Sequence, residues 1–265
     1  MALQIADITK DREDLMHLLV RAYHDIYVPA FPDPDERESL EKFMRGIREE
    51  IPGVNIAVNI LGENLQDKDK AVIKGISVGY YYQKQNVGLL AYNAIAPQAR
   101  EKGLGKIMVQ SRINSLKNFA AAQGKKIDGV FIEVNDPHKV AAENDSMNPA
   151  DRVAIFSKWG ARRIDIPYVQ PPVDKDGAYC DYLLLMNYPV DGRYAPASAV
   201  EQYLRGIYRE DRLGRKPEED HYFRAMTTAL GKLPPAALPD TATPVTPGYM
   251  TGAPEFTYLA KKPSR

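Results

Sequence analysis

The stretch AIAPQAREKGLGKIM at 94–108 constrains this chain more than any other. An alternating apolar run, VGLLAYNAIA at 87–96, meets Pro97 and then a loop with two glycines and several cations. A helical pattern, GKIMVQSRINSLKNFAAAQG, follows at 105–124. At such a strand-to-helix junction the first backbone N–H groups of the helix point at one place, and the macrodipole favours an anion there. Gly103 and Gly105 permit close backbone approach, and Arg100, Lys102 and Lys106 add positive charge. Two familiar phosphate loops do not fit. A Walker loop needs a glycine where Arg100 stands and Ser or Thr where Ile107 stands. A dinucleotide fingerprint needs a third glycine, and Met108 and Gln110 are not glycine. An isolated G-x-G would be an ordinary turn; the strand before it and the helix after it favour a pyrophosphate cradle.

The surrounding elements set the context. LQIADIT at 3–9 reads as a strand, and Thr9 is positioned to cap the helix that follows. FPDPDERESLEKFMRGIREE at 31–50 reads as a second helix, capped by Asp33 with Pro34 in its first turn. Strands are expected at 54–61, 71–83 and 87–96, the last two joined as a hairpin. After the glycine-loop helix come a buried strand at 128–135, a long polar loop, a short helix at 149–160 and two strands at 161–172 and 178–189. Beyond Pro189, two amphipathic helices precede a Pro- and Thr-rich tail, expected to be extended or disordered.

IAPQAREKGLGKIM resembles motif A of the GNAT acyl-CoA N-acyltransferases, V/I-x-P-x-x-R/Q-x-x-G-x-G/A, through Ile95, Pro97, Arg100, Gly103 and Gly105. RVAIFSKWGARRID at 152–165 resembles their motif B. The resemblance covers roughly residues 3–189 and implies an α/β (α+β) GNAT fold: a mixed, mostly antiparallel seven-stranded twisted sheet flanked by helices. It implies acetyl-CoA or another acyl-CoA as co-substrate. The pyrophosphate would lie on Arg100, Glu101, Lys102, Gly103, Leu104, Gly105 and Lys106, and the pantetheine arm beside Ala94 and Ile95. Asn148, ahead of motif B, resembles a residue that often contacts the cofactor.

Acyl transfer from a thioester to an amine needs an exit for the amine's proton and a donor for the oxyanion, and positioning does much of the rest. At the motif-B tyrosine this chain has Phe156, and at the usual glutamate base it has Leu89; both are apolar. Glu133, on the strand parallel to motif A, is the candidate base, with Tyr92 on the motif-A strand as a second catalytic candidate. Tyr168, Gln170 and Tyr179 lie between the last two strands, a connection that often walls the acceptor site in GNAT proteins, and are candidates for acceptor binding. The substitutions at Leu89 and Phe156 leave a second reading open, a non-catalytic acyl-CoA sensor with the same fold.

Composition narrows the partners. With 35 basic and 35 acidic residues the chain has no global field for nucleic acid or anionic membrane. One cysteine and four scattered histidines argue against a metal site. No secretory leader or membrane-length apolar run is present, so a soluble, cytoplasmic protein is expected. The expected organisation is a GNAT domain at 1–190, a helical extension at 191–232 and a tail at 233–265. The extension would either cover the acceptor cleft or pair the chain into a homodimer. The acceptor is expected to be a small-molecule amine rather than a protein lysine.

Overall fold

The computed structural model describes residues 2–172, 177–233 and 256–258. The described residues divide into two compact units, one built from 2–81, 90–123 and 256–258, the other from 82–89, 124–172 and 177–233.

The first unit opens with β1 (Leu3–Ile8) and a helical segment made of α1 (Met16–Ala22), a π-helical turn (Tyr23–Tyr27) and α2 (Val28–Ala30). It continues with α3 (Leu40–Ile47), β2 (Val54–Glu63), β3 (Val72–Tyr82), most of β4 (Val87–Ile95) and α4 (Leu104–Ala121). β1 and β2 pair antiparallel, with Asp7 opposite Asn59. β2 is buried along nearly its whole length because helices cover both of its faces. Gly46 of α3 sits so close to Ile56 that an added Cβ would lie 1.9 Å from its Cδ1. On the other face Asn59 donates to Ser115 of α4 at 3.1 Å. Residues 56 and 59 differ by an odd number, so strand alternation sends α3 and α4 to opposite sides.

Two helix starts differ from expectation. Thr9 caps nothing; its hydroxyl is buried with no protein partner, and a short turn at Glu13–Leu15 leads into α1. The helix expected from Asp33 begins at Leu40, with Ser39 accepting from the Lys42 N–H at 3.2 Å. Pro34–Glu36 forms only a 3-10 turn, so the proline-rich stretch ends in a turn and a new cap restarts the chain.

The second unit holds β5 (Gly129–Asn135), α5 (Pro149–Lys158), β6 (Arg162–Arg163), β7 (Leu183–Tyr188), α6 (Ala197–Ile207), α7 (Glu210–Leu213) and α8 (His221–Lys232). The start of β4 runs parallel to β5, with Leu89 opposite Phe131, and β7 lies antiparallel to β5, with Leu185 opposite Glu133. The strand expected at 161–172 shrinks to β6 and one further bridge, Gln170 to Cys180. Pro167, Pro171 and Pro172 have no N–H to give a ladder. Val200, Tyr203, Leu204 and Ile207 form the buried stripe of α6.

Strand order is β6-β7-β5-β4 in the second unit and β4-β3-β2-β1 in the first, with β4 running through both. The architecture is an open, mixed seven-stranded sheet with flanking helices. An eighth short strand, β8 (Phe256–Tyr258), adds parallel to β1. Apart from Leu233 and β8, the tail expected at 233–265 lies outside the described residues.

Candidate active site

The glycine loop belongs wholly to the first unit. Pro97–Ala99 makes a 3-10 turn, Arg100 is extended, and Glu101 and Gly103 adopt positive φ, 65° and 70°. Gly103 is the N-cap of the 18-residue α4 and supplies no side-chain cap. The N–H groups of Lys106 and Ile107 turn back to the Gly103 carbonyl, at 3.2 and 3.4 Å. Those of Leu104 and Gly105 precede the first helical acceptor and are the donors a helix start leaves for an outside anion. Asn93 of β4 ties the strand to this turn by donating to the Gly105 carbonyl at 3.3 Å. The Leu104 side chain is buried, so only its backbone faces a ligand. Arg100 folds back onto the Ile95 carbonyl at 3.3 Å, while Lys102 is exposed and Lys106 half-buried. Gly105 is ordinary α-helix; the residue that needs a left-handed backbone beside Gly103 is Glu101, a loop residue whose backbone conformation sequence reading did not anticipate.

The register of β4 separates the two residues expected at the pantetheine. The Ala96 N–H donates to Lys74 of β3, and the Ala94 carbonyl also faces β3, 3.1 Å from where a Cβ on Gly75 would stand. Ala94 therefore spends its backbone groups on β3, and of the pair only Ile95 turns its own to the other edge.

Tyr92 is drawn into packing. Its hydroxyl donates to the Glu36 carbonyl at 3.1 Å, and its ring meets Tyr27 and Phe31 edge-on at 5.0 and 5.1 Å. Behind it Arg112 of α4, wholly buried, donates to the carbonyls of Val78 and Tyr92. Burial pushes its pKa down to about 9, which leaves it cationic at neutral pH.

Glu133 is the centre of the second unit's polar chemistry. Strand alternation puts it on the same face of β5 as Phe131. Its Oε1 accepts from Tyr203 of α6 at 2.8 Å and from Tyr168, and its Oε2 accepts from Gln170 at 2.7 Å. The two phenol oxygens are 3.4 Å apart. Burial first, and then the Glu133 charge, hold both phenols well above the usual tyrosine pKa, so they remain donors. Gln170 is itself fixed by reciprocal backbone bonds with Cys180, 2.8 and 3.0 Å long. Two of the three expected acceptor residues, Tyr168 and Gln170, thus converge on Glu133. Tyr179 goes elsewhere and donates to Asp220, the N-cap of α8, which also holds Arg215. Asn148 caps α5 by accepting from the Ala150 N–H at 2.9 Å. Sequence reading missed Tyr203, because a tyrosine on an apolar helical stripe looks like core.

Leu89 and Phe156 are buried, and Phe156 packs edge-on to Trp159 at 5.4 Å. Among the described residues no cluster of three or more His, Cys, Asp or Glu side chains is arranged to hold a metal, and no helix is long and apolar enough to cross a membrane.

No family model matches the sequence, and no curated protein matches it. Solved structures do. A protein described as a GNAT-family acetyltransferase, from Bacteroides thetaiotaomicron, superposes with a TM-score of 0.52 at 19% identity, covering 80% of this chain and 99% of its own. A GNAT-family acetyltransferase from Staphylococcus aureus gives 0.42 at 16%, over 71% and 100%. A ribosomal-protein-alanine N-acetyltransferase from Brucella melitensis gives 0.40 at 16%, over 67% and 94%. The fold is that of the GNAT acetyltransferases.

Proposed function

We propose that this chain is an acyl-CoA-dependent N-acyltransferase that moves an acetyl group from coenzyme A to the primary amine of a small molecule by direct attack. One observation carries the reading: an 18-residue helix that starts on a left-handed glycine, with no side-chain cap and with Arg100, Lys102 and Lys106 around it, directly after β4 of a GNAT fold. A pyrophosphate fits this start, since the donors are backbone N–H groups and the macrodipole and side-chain charge favour an anion. Ile95 is the residue suited to pair with the pantetheine arm.

The thioester supplies an activated acyl carbon. The chain's part is to hold it, to orient the amine and to take up a proton. Glu133 takes the proton that the ammonium loses, directly or through water, before nitrogen attacks. The C–N bond then forms, the attacking nitrogen releases its second proton to water, the C–S bond breaks, and the sulfur leaves as thiolate. Phe156 cannot donate to that thiolate, so it leaves without an acid from this position.

Calorimetry with CoA, run alongside a thiol-release screen of acetyl-CoA against an amine panel, tests the reading. Failure to bind CoA overturns it. Binding with no turnover on any amine supports the sensor reading, which the apolar residues at 89 and 156 leave open.

A further inference from the structure

Tyr203 is seventy residues from Glu133 in sequence and belongs to the C-terminal helical segment. Its ring stacks on Phe131 at 4.6 Å and meets Tyr82 at 6.4 Å. Gly206, one helical turn on, lets α6 lie so close that an added Cβ would stand 2.9 Å from the Tyr82 ring. Held this way, the phenol oxygen lies 2.8 Å from Glu133 Oε1 and 3.4 Å from the Tyr168 oxygen. This face of β5 would pack more cheaply with an apolar residue at 133 than with a half-buried carboxylate held by three donors.

We propose that Tyr203 is a positioning residue for Glu133: it fixes the carboxylate that takes the acceptor's proton and so makes α6 part of the active site. This rests on the acyl-transfer reading above. Among the described residues, the titratable groups facing Glu133 include Tyr168 from the loop and Tyr203 from α6, with Tyr208 behind them; β7 presents Leu185 opposite. Removing one donor to the ionised form makes protonation easier.

The test labels glutamate carboxyl carbons with 13C and follows Glu133 by NMR against pH, with Glu133→Gln assigning the signal. In Tyr203→Phe the Glu133 titration moves to higher pH. A ring-fluorinated tyrosine at position 203, a stronger donor that keeps the shape, moves it to lower pH and serves if the phenylalanine variant does not fold. In steady-state assays Tyr203→Phe lowers kcat on the order of tenfold, part of what a general base supplies, and its acid limb moves up in pH. CoA affinity by calorimetry stays unchanged. A wild-type protein that binds CoA and acetylates amines, together with a Glu133 titration unmoved in both variants, overturns the positioning role alone. A wild-type protein that acetylates no amine overturns the acyl-transfer reading and the positioning role of Tyr203 with it.

Discussion

Tyr203 Oη donates to Glu133 Oε1 at 2.8 Å, joining the C-terminal helical segment to the middle of β5. The same oxygen accepts from Tyr168, so one carboxylate is served by two buried phenols.

That sharing has an alkaline consequence. Both phenols are held above the ordinary tyrosine value of 10.0, first by burial and then by the Glu133 charge. Their contribution to stability is complete below that value and is lost as pH rises above it, because the unfolded chain ionises first. Denaturant unfolding should show stability falling above pH 10, and the double variant Tyr168→Phe/Tyr203→Phe should flatten the part of the slope that these groups cause.

Glu133→Gln keeps the shape and removes the base. Its turnover is expected to fall roughly 100-fold or more, with CoA affinity by calorimetry unchanged. Equal activity in the variant would remove Glu133 from the chemistry.

The glycine loop separates conformation from space. Gly103→Ala must hold a φ of 70°, at a cost of about 1–2 kcal/mol in denaturant unfolding. Glu101→Gly relieves the same left-handed penalty and should gain up to about 1 kcal/mol. Gly105→Asp should fold and lose CoA binding in calorimetry, since its carboxylate would meet the pyrophosphate. Normal CoA binding by that variant would show the loop assignment to be mistaken.

Asp220 anchors the extension. Burial pushes its carboxyl pKa up, but hydrogen bonds from Tyr179, the Phe223 N–H and Arg215 pull it down and prevail, so it lies below the ordinary 3.8. Its stabilisation is therefore present above that value and lost as pH falls through the lower folded one. Asp220→Ala should cost about 1–2 kcal/mol through the lost cap and abolish that acid dependence, as read from melting curves against pH.

The phosphate cradle was legible in sequence because it is local. A strand, a proline, two glycines and a helical period all fall within about twenty residues, and each acts on its own backbone. Glu133 could be named, but only as a carboxylate of uncertain facing. The capping role of Ser39 was present in the text and lost to the stronger-looking Asp33-Pro34 pair, since several residues there suit a helix start. The split between Ala94 and Ile95 depends on how β4 registers with β3, which no single strand encodes. Tyr203 is the plainest case. Helical spacing shows that it faces inward, but what lies opposite is set by packing α6 on β5, seventy positions away. Local backbone preferences travel with the sequence, whereas the pairing of polar groups from distant elements exists only once the chain has closed around them.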